Sequence, residues 1–361
     1  MNRALALASL GRGKTSPNPL VGCVIVKDNC IIGQGWHHQY GHSHAEIEAL
    51  NNAHSLGHDV RGSTVYVTLE PCSHYGKTPP CANRLIQEGI EEVVIAMKDP
   101  NPEVNGKGID ILRNAGIKVT ELSDFEYKAK FLNRGFVFVH KYGRPFITIK
   151  AAMTLDGRMC LANGSSKWIT GTLARTFAHE IRAENDAVLV GAGTVISDNP
   201  ELTVRHVKGI NPLRIILDTK LSIPANAKVI GNDGKCLIFC GLNANKERQA
   251  KLEGAGAEII RLPYYGARVD IHEAMKHIVQ KGILTLMVEG GPAVISAFIR
   301  EALADYAKLF ISPHIFGEGK EIKLNAGFDS VKKSLRILNM KSTRLNEDIL
   351  AEGRLNCSRA L

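Results

Sequence analysis

Apolar and polar positions alternate in short blocks along the whole chain. Val21–Lys27 and Ile31–Trp36 read as two strands, joined at the turn-favouring pair Asp28-Asn29. A helical pattern over Ala45–Ala53 is followed by an alternating strand, Thr64–Leu69. Next come a helix at Ala82–Glu88, a strand at Val93–Ala96, a helix at Gly108–Asn114 and a strand at Ile117–Thr120. One further helix, near Asp124 to His140, closes this unit, and the N-terminal MNRALALASLGRGK reads as a first amphipathic helix. Strands separated by helices predict an α/β sheet with helices on its faces.

Gly143-Arg144-Pro145 sets two breakers between that last helix and a fresh apolar strand, Phe146–Ala151, and marks a domain boundary. Beyond it, strands are expected at Ala187–Gly191, Leu213–Leu217, Cys236–Cys240, Glu258–Arg261, Leu284–Val288 and Lys308–Ile311. Helical patterns fall between them at Leu173–Ala183, Asn243–Gly254 and Ile271–Lys281, and no segment repeats. Two domains are therefore expected, residues 1–143 and 144–361, which suits a chain of 361 residues.

With 44% hydrophobic and 22% charged residues, the chain has enough apolar material for two ordinary cores. No run approaches the ~18 apolar residues of a membrane span, and the N-terminus lacks a signal-peptide cleavage pattern. A cytoplasmic protein without membrane partners is expected. The formal charge of +9 favours anionic partners. Lacking a Lys/Arg block or an aromatic-interleaved basic strip, the chain points to a phosphorylated small molecule rather than nucleic acid. Its eight cysteines in so long a chain suit buried apolar positions or metal ligands better than a disulfide scaffold.

Two of those cysteines carry chemistry, together with a histidine and a glutamate. His44-Ala45-Glu46 stands where a loop meets a helix, and Glu70-Pro71-Cys72 follows a strand, with Cys81 after Pro79-Pro80. Hydrolytic deamination needs a nucleophile at neutral pH. Zinc with three protein ligands and one open position supplies one by lowering the pKa of water to about 7. His44, Cys72 and Cys81 are the expected ligands, and Glu46 the proton carrier between water, ring nitrogen and departing ammonia. This is the H-x-E…P-C signature of zinc nucleobase deaminases, although the cysteines are spaced C-x₈-C rather than C-x-x-C. His42, His54 and His58 read as solvated residues, with His42 close enough to reach a substrate.

The strings SPNPLVGCVIVKD, HAEIEAL, VTLEPCSHYGKTPPC and KDPNP resemble the bifunctional deaminase/reductase family of riboflavin biosynthesis, in which the wider cysteine spacing is itself a family mark. The resemblance implies a cytidine-deaminase-like α/β/α domain acting on a diamino-hydroxy-phosphoribosylamino-pyrimidine. It places Asn18, His74, Lys77 and Asn101 around that substrate.

In the second half, Gly191-Ala192-Gly193-Thr194-Val195-Ile196 has only two of the three glycines of a dinucleotide fingerprint. Together with Val288-Glu289-Gly290-Gly291-Pro292, which opens a helix after a strand, it offers backbone N–H groups to an anion. The residues alone reach no further than an anion- or dinucleotide-binding α/β domain. The same family resemblance extends over KAAMTLDGR (150–158), SKWIT (166–170), GAGTVISDNP (191–200), LTVR (202–205) and VEGG (288–291). It implies a dihydrofolate-reductase-like α/β domain that uses NADPH to turn a ribosylamino chain into a ribitylamino chain.

By that resemblance Ala152, Trp168, Thr194, Asp198 and the segment Gly291, Pro292, Ala293, Val294, Ile295, Ser296 and Ala297 line the cofactor. Ser166, Arg182, Leu202, Arg205 and Glu289 face substrate. Lys150 and Asp198 are the first candidates for a general acid, and assembly through the reductase domain into a homo-oligomer is implied. Two other readings compete. One is a zinc-dependent nucleic-acid deaminase of the tRNA-editing kind with an accessory C-terminal domain. The other is a structural zinc protein with a ligand-binding regulatory half, which three ligands plus a glutamate disfavour.

Overall fold

Asp28 and Asn29 both take the left-handed conformation, with φ of 51° and 61°, as expected of a turn matched to the twist of an antiparallel pair. They join β1 (Gly22–Lys27) to β2 (Cys30–Trp36). In this computed structural model, which describes residues 1–73, 80–324 and 329–357, β3 (Thr64–Val67), β4 (Glu92–Ile95) and β5 (Lys118–Glu121) complete a sheet ordered β2-β1-β3-β4-β5. The β3–β4 and β4–β5 pairs are parallel. Buried Leu50, Val65, Leu85, Val93, Ile95 and Leu112 fill the space between sheet and helices.

Helix Ala45–Ser55 packs close on β2 because Gly33 and Gly35 are there. A Cβ at Gly35 would strike the backbone of Ala49. This approach sets the position of the helix that begins with Ala45 and Glu46.

Where one helix was expected over residues 124–140 there are two, Ser123–Leu132 and Arg134–Tyr142. They meet at Asn133, which leaves helical geometry (φ −96°, ψ 24°). Its buried amide accepts a hydrogen bond from Leu20 N at 2.7 Å and donates to Leu20 O at 2.9 Å. The break thus straps down the loop that carries Asn18. Local periodicity could not report it, since the partner lies 113 residues away.

The chain divides into two compact units, the first ending at Arg144 and the second beginning at Pro145. The second unit is built on one nine-stranded sheet and a small hairpin. Its strands are β6 (Phe146–Thr154), β7 (Ala187–Gly191), β8 (Leu213–Leu217), β9 (Cys236–Gly241) and β10 (Glu258–Leu262). After the hairpin of β11 (Tyr264–Tyr265) and β12 (Arg268–Val269) come β13 (Thr285–Val288), β14 (Tyr306–Ser312), β15 (Ile337–Leu345) and β16 (Asp348–Leu355). The large sheet runs β10-β9-β8-β7-β13-β6-β14-β16-β15. From β10 through β14 every pair is parallel, and only β14–β16 and β16–β15 are antiparallel. β7 and β9 are buried along their whole length, as continuous apolar runs in a covered parallel sheet should be.

Two features differ from expectation. A short helix, Ala192–Asp198, follows β7 where no helix was expected. The C-terminal β15–β16 hairpin was not foreseen at all: most of β15 is exposed, so it lacks the alternating apolar face that marks a strand. Among the described residues no helix is long and apolar enough to cross a membrane.

Candidate active sites

In the first unit two helices start close to one another just beyond β3. His44 caps helix Ala45–Ser55 in extended conformation, and Cys81 is the first residue of helix Cys81–Gln87, entered through Pro80. Cys72 lies in the segment that leaves β3. His44 Nδ1 stands 3.3 Å from Cys81 Sγ and 3.5 Å from Cys72 Sγ, and all three ligand atoms lie within 4.8 Å of one another. Zn–S and Zn–N bonds of ≈ 2.3 and ≈ 2.0 Å in a tetrahedron place nitrogen and sulfur roughly 3.5 Å apart, so this donor set fits zinc. The Cys81 thiol, then His44 and the Cys81 N–H that donates to Cys72 Sγ at 3.2 Å, hold the Cys72 thiol well below its ordinary pKa against the effect of burial. Cys72 in turn raises His44 to about 9. Glu46 is buried at 3% exposure in the first turn of its helix. Burial, then the nearby Cys72, raises its pKa to about 7.

His37 was not anticipated. It is buried, its ring meets that of His44 edge-on at 5.6 Å, and burial lowers its pKa. Its Nδ1 lies 3.0 Å from the Ser43 carbonyl, which can only accept, so Nδ1 carries the proton. Nε2 therefore accepts from Asn18 Nδ2 at 3.2 Å, which leaves the Asn18 carbonyl oxygen to face elsewhere. Asn101 uses its side-chain oxygen within its own loop, accepting from Glu103 N at 3.0 Å. His74 and Lys77 lie outside the described residues. His42, His54 and His58 are exposed, and His54 pairs with Glu88 at 3.2 Å.

In the second unit a cavity of about 1540 Å³ runs along the carboxyl ends of β6, β7, β13 and β8, where ligands of open parallel sheets are bound. Ala152, Trp168, Thr194, Asp198, Gly291, Pro292, Ala293, Val294, Ser296 and Ala297 line it, as do Ser166, Arg182, Leu202, Arg205 and Glu289. Ile295 does not. It is fully buried beside Phe298 in the core, because it falls on the sheet-facing side of helix Pro292–Arg300. The glycines are also needed for packing: a Cβ at Gly191 or Gly290 would come within 2.7 or 2.9 Å of Val294. They permit packing of the two turns, while the Gly291 N–H donates to Thr194 Oγ1 at 3.1 Å. Two adjoining glycine turns at the strand ends, opening on a long cavity, fit a dinucleotide. The turn after β8 was also missed. There Asp218 accepts from Ser222 Oγ and Ile223 N, both at 2.9 Å, and Leu221 is left-handed (φ 56°).

At the other end of the cavity one carboxylate holds two cations. Glu289 accepts from Lys150 Nζ at 3.0 Å and from Arg182 Nη2 at 2.7 Å. Burial opposes its charge, yet Arg182 and Lys150 overcome this and pull its pKa to about 2. Arg182 also donates to Thr203 O at 2.6 Å, and its buried Nε has no partner among the described residues. His179 accepts from Arg205 N at 3.2 Å and is held to about 4 by burial and by Arg182. Arg205 itself is half-exposed and paired with Glu201 at 2.6 Å. Leu202 is left-handed (φ 56°), and Trp168 lies exposed under the Arg175 guanidinium at 4.6 Å.

Residues 1–97 match the cytidine and deoxycytidylate deaminase zinc-binding region, and residues 145–351 match the RibD C-terminal domain. A riboflavin biosynthesis protein RibD from Aquifex aeolicus is 43% identical over 351 residues, covering 97% of this chain and 96% of that protein. The chain belongs to the RibD family. Solved structures agree. A diaminohydroxyphosphoribosylaminopyrimidine deaminase/5-amino-6-(5-phosphoribosylamino)uracil reductase from Thermotoga maritima matches at TM-score 0.86 and 38% identity, covering 98% of this chain and 97% of that one. A RibD structure from Acinetobacter baumannii matches at 0.87 and 36%, with the same coverage. As a RibD-family protein the chain is a bifunctional enzyme of riboflavin biosynthesis, a zinc-dependent deaminase and an NADPH-dependent reductase acting on a small-molecule pyrimidine. Its N-terminal deaminase domain precedes a dihydrofolate-reductase-like domain, and the tRNA-editing alternative is not favoured.

The Glu289 network has a pH signature. An acid with a depressed folded pKa contributes stability that is complete above its unfolded value and lost as pH falls toward the folded one. Between about 4.5 and about 2, the second unit should lose stability more steeply in wild type than in Glu289→Gln. Urea midpoints across that range measure it, and equal slopes would contradict the network.

Proposed function

We propose that residues 1–143 carry the deamination and residues 144–361 the reduction, with His44, Cys72 and Cys81 as zinc ligands and Glu46 as the catalytic residue. The observation that supports this most is the meeting of those three donors beside a buried carboxylate. Zinc, when bound there, makes water nucleophilic at neutral pH. Glu46 lies off the donor set, within reach of Cys72 and Cys81. It carries one proton from the attacking water to the ring nitrogen, and then the proton of the added hydroxyl to the exocyclic amine, which leaves as ammonia. Asn18, its amide turned by His37, offers its oxygen to the pyrimidine, with His74 and Lys77 assigned to the same substrate.

In the second unit, Thr194, Asp198, Ala152, Trp168 and the Gly291–Ala297 turn and helix, less Ile295, are assigned to NADPH, which supplies the hydride when bound. Ser166, Arg182, Leu202, Arg205 and Glu289 are assigned to the substrate. The Glu289 carboxylate accepts from ribose hydroxyls while keeping Lys150 in place. Lys150 is the better candidate of the two for protonating the ring-opened imine, since its ammonium is fixed at 3.0 Å from Glu289 and lines the cavity. The Nε of Arg182, without a partner among the described residues, and the guanidinium of Arg205 suit the phosphate.

The same reading takes the substrate as a free phosphorylated pyrimidine, with no nucleic acid or membrane, in the reducing cytoplasm, where the eight cysteines stay unpaired. Assembly into a homo-oligomer through the reductase domain is part of it. The exposed edge strand β15, with Met340 outward, supports such assembly.

Glu46→Gln keeps the shape of the side chain but cannot carry a proton. It should retain zinc and lose ammonia release at least ~100-fold, while reduction of already deaminated substrate stays near wild type. Ammonia release at the wild-type rate would remove Glu46 from the mechanism. Arg205→Ala should raise the substrate KM of the reduction about tenfold, as expected for a charge-assisted hydrogen bond, with NADPH affinity unchanged by fluorescence titration. Lost NADPH binding would instead place Arg205 at the cofactor.

A further inference from the structure

Glu70 precedes the ligand Cys72 by two residues, and no step of the deamination uses it. It is nevertheless buried at 3% exposure, where an unsatisfied carboxylate would be costly. Each of its two oxygens accepts two hydrogen bonds, and among the described residues all four donors are backbone amides. Oε2 accepts from Asp99 N at 3.1 Å and Gly106 N at 3.0 Å, and Oε1 from Gly108 N at 2.9 Å and Ile109 N at 3.4 Å. Four amides of one loop and the helix that follows it therefore converge on one side chain.

The same helix, Lys107–Asn114, presses on the next residue of the chain. A Cβ on Gly108 would collide with the Pro71 carbonyl oxygen. On the other side, Ala82 N donates to Cys72 O at 3.3 Å and Cys81 N to Cys72 Sγ at 3.2 Å. The Glu70 backbone is fixed too, with its N–H donating to Met97 O at 3.0 Å. Pro71 and Cys72 are thus clamped between two helix starts, and the Glu70 carboxylate is the fastener at the start of helix Lys107–Asn114.

We propose that Glu70 is a positioning residue for the metal centre: by gathering the Asp99–Ile109 backbone it fixes where Pro71 and Cys72 lie, and so sets the geometry in which Cys72 Sγ meets His44 and Cys81. The inference rests on the zinc reading of those three residues. It explains why a glutamate, and not merely a polar residue, stands before Pro71-Cys72. A glutamine would turn an NH₂ toward two of the four donors, and an aspartate would be one methylene short of them.

Cobalt(II) titration of the full chain tests it, because thiolate-to-cobalt absorption reports the cysteine geometry directly and needs no turnover. Wild type should bind cobalt with a thiolate band. If it does not, the zinc reading fails, and the clamp with it. Glu70→Gln should bind roughly 10–100-fold more weakly, the loss usual for partners that orient metal ligands, with a shifted or weakened band. Glu70→Asp should fall between the two. In both variants hydrogen exchange at β1, β3 and β4 should remain slow, and reduction of deaminated substrate should be unchanged. A folded variant with wild-type affinity and spectrum would overturn the proposal. So would failure of both variants to fold, since that would make Glu70 a residue of the general core.

Discussion

A zinc site drawn from three separate segments needs their backbones fixed before the metal arrives, and in this chain the fixing is done by helix starts. Helix Ala45–Ser55 is seated on β2 through Gly33 and Gly35, which brings His44 and Glu46 to one place. Helix Cys81–Gln87 begins with one of the proposed ligands and donates its first N–H to another, Cys72. Helix N-termini favour negative charge, so a thiolate there is stabilised before any cation binds. The site's chemistry follows from this: donors on rigid elements, one buried carboxylate beside them, and Asn18 oriented by a histidine whose tautomer is set by the Ser43 carbonyl.

The second unit solves a different problem with the same economy of parts. A parallel sheet brings the carboxyl ends of four adjacent strands to one edge, and the cavity lies along that edge. Glu289, at the end of β13, ties Lys150 of β6 to Arg182 of helix Thr172–Ala183. A buried charge of this kind is tolerated only when partnered, and here one partner, Arg182, is assigned to the substrate and the other, Lys150, to proton donation.

Much of this was legible because it is periodic or local. β7 and β8 fall where alternation and apolar runs placed them, and the His44, Glu46, Cys72 and Cys81 pattern pointed to one site before any contact was known. What escaped notice depends on partners distant in sequence. Asn133 splits a helix in order to bond Leu20, and Glu70 binds amides 29 to 39 residues away. His37 had no motif to announce it, although a histidine directly after a strand and just before the His44 loop was a usable hint. The close approach of Gly191 to Val294 had no local signature either, since the two lie far apart in sequence. Ile295 was swept in with its neighbours, although helical periodicity turns it toward the core.

The central claim is that one chain performs two ordered reactions on one pyrimidine. Mass analysis of the product formed by the zinc-loaded full chain from the diamino-hydroxy-phosphoribosylamino-pyrimidine tests it most directly. Without NADPH, the product should have one exocyclic amine replaced by oxygen and an intact ribosyl chain. With NADPH, the same deaminated product should gain two hydrogens, as hydride and proton, on that chain. A product that keeps its amine, or that gains no hydrogen with NADPH present, would contradict the account.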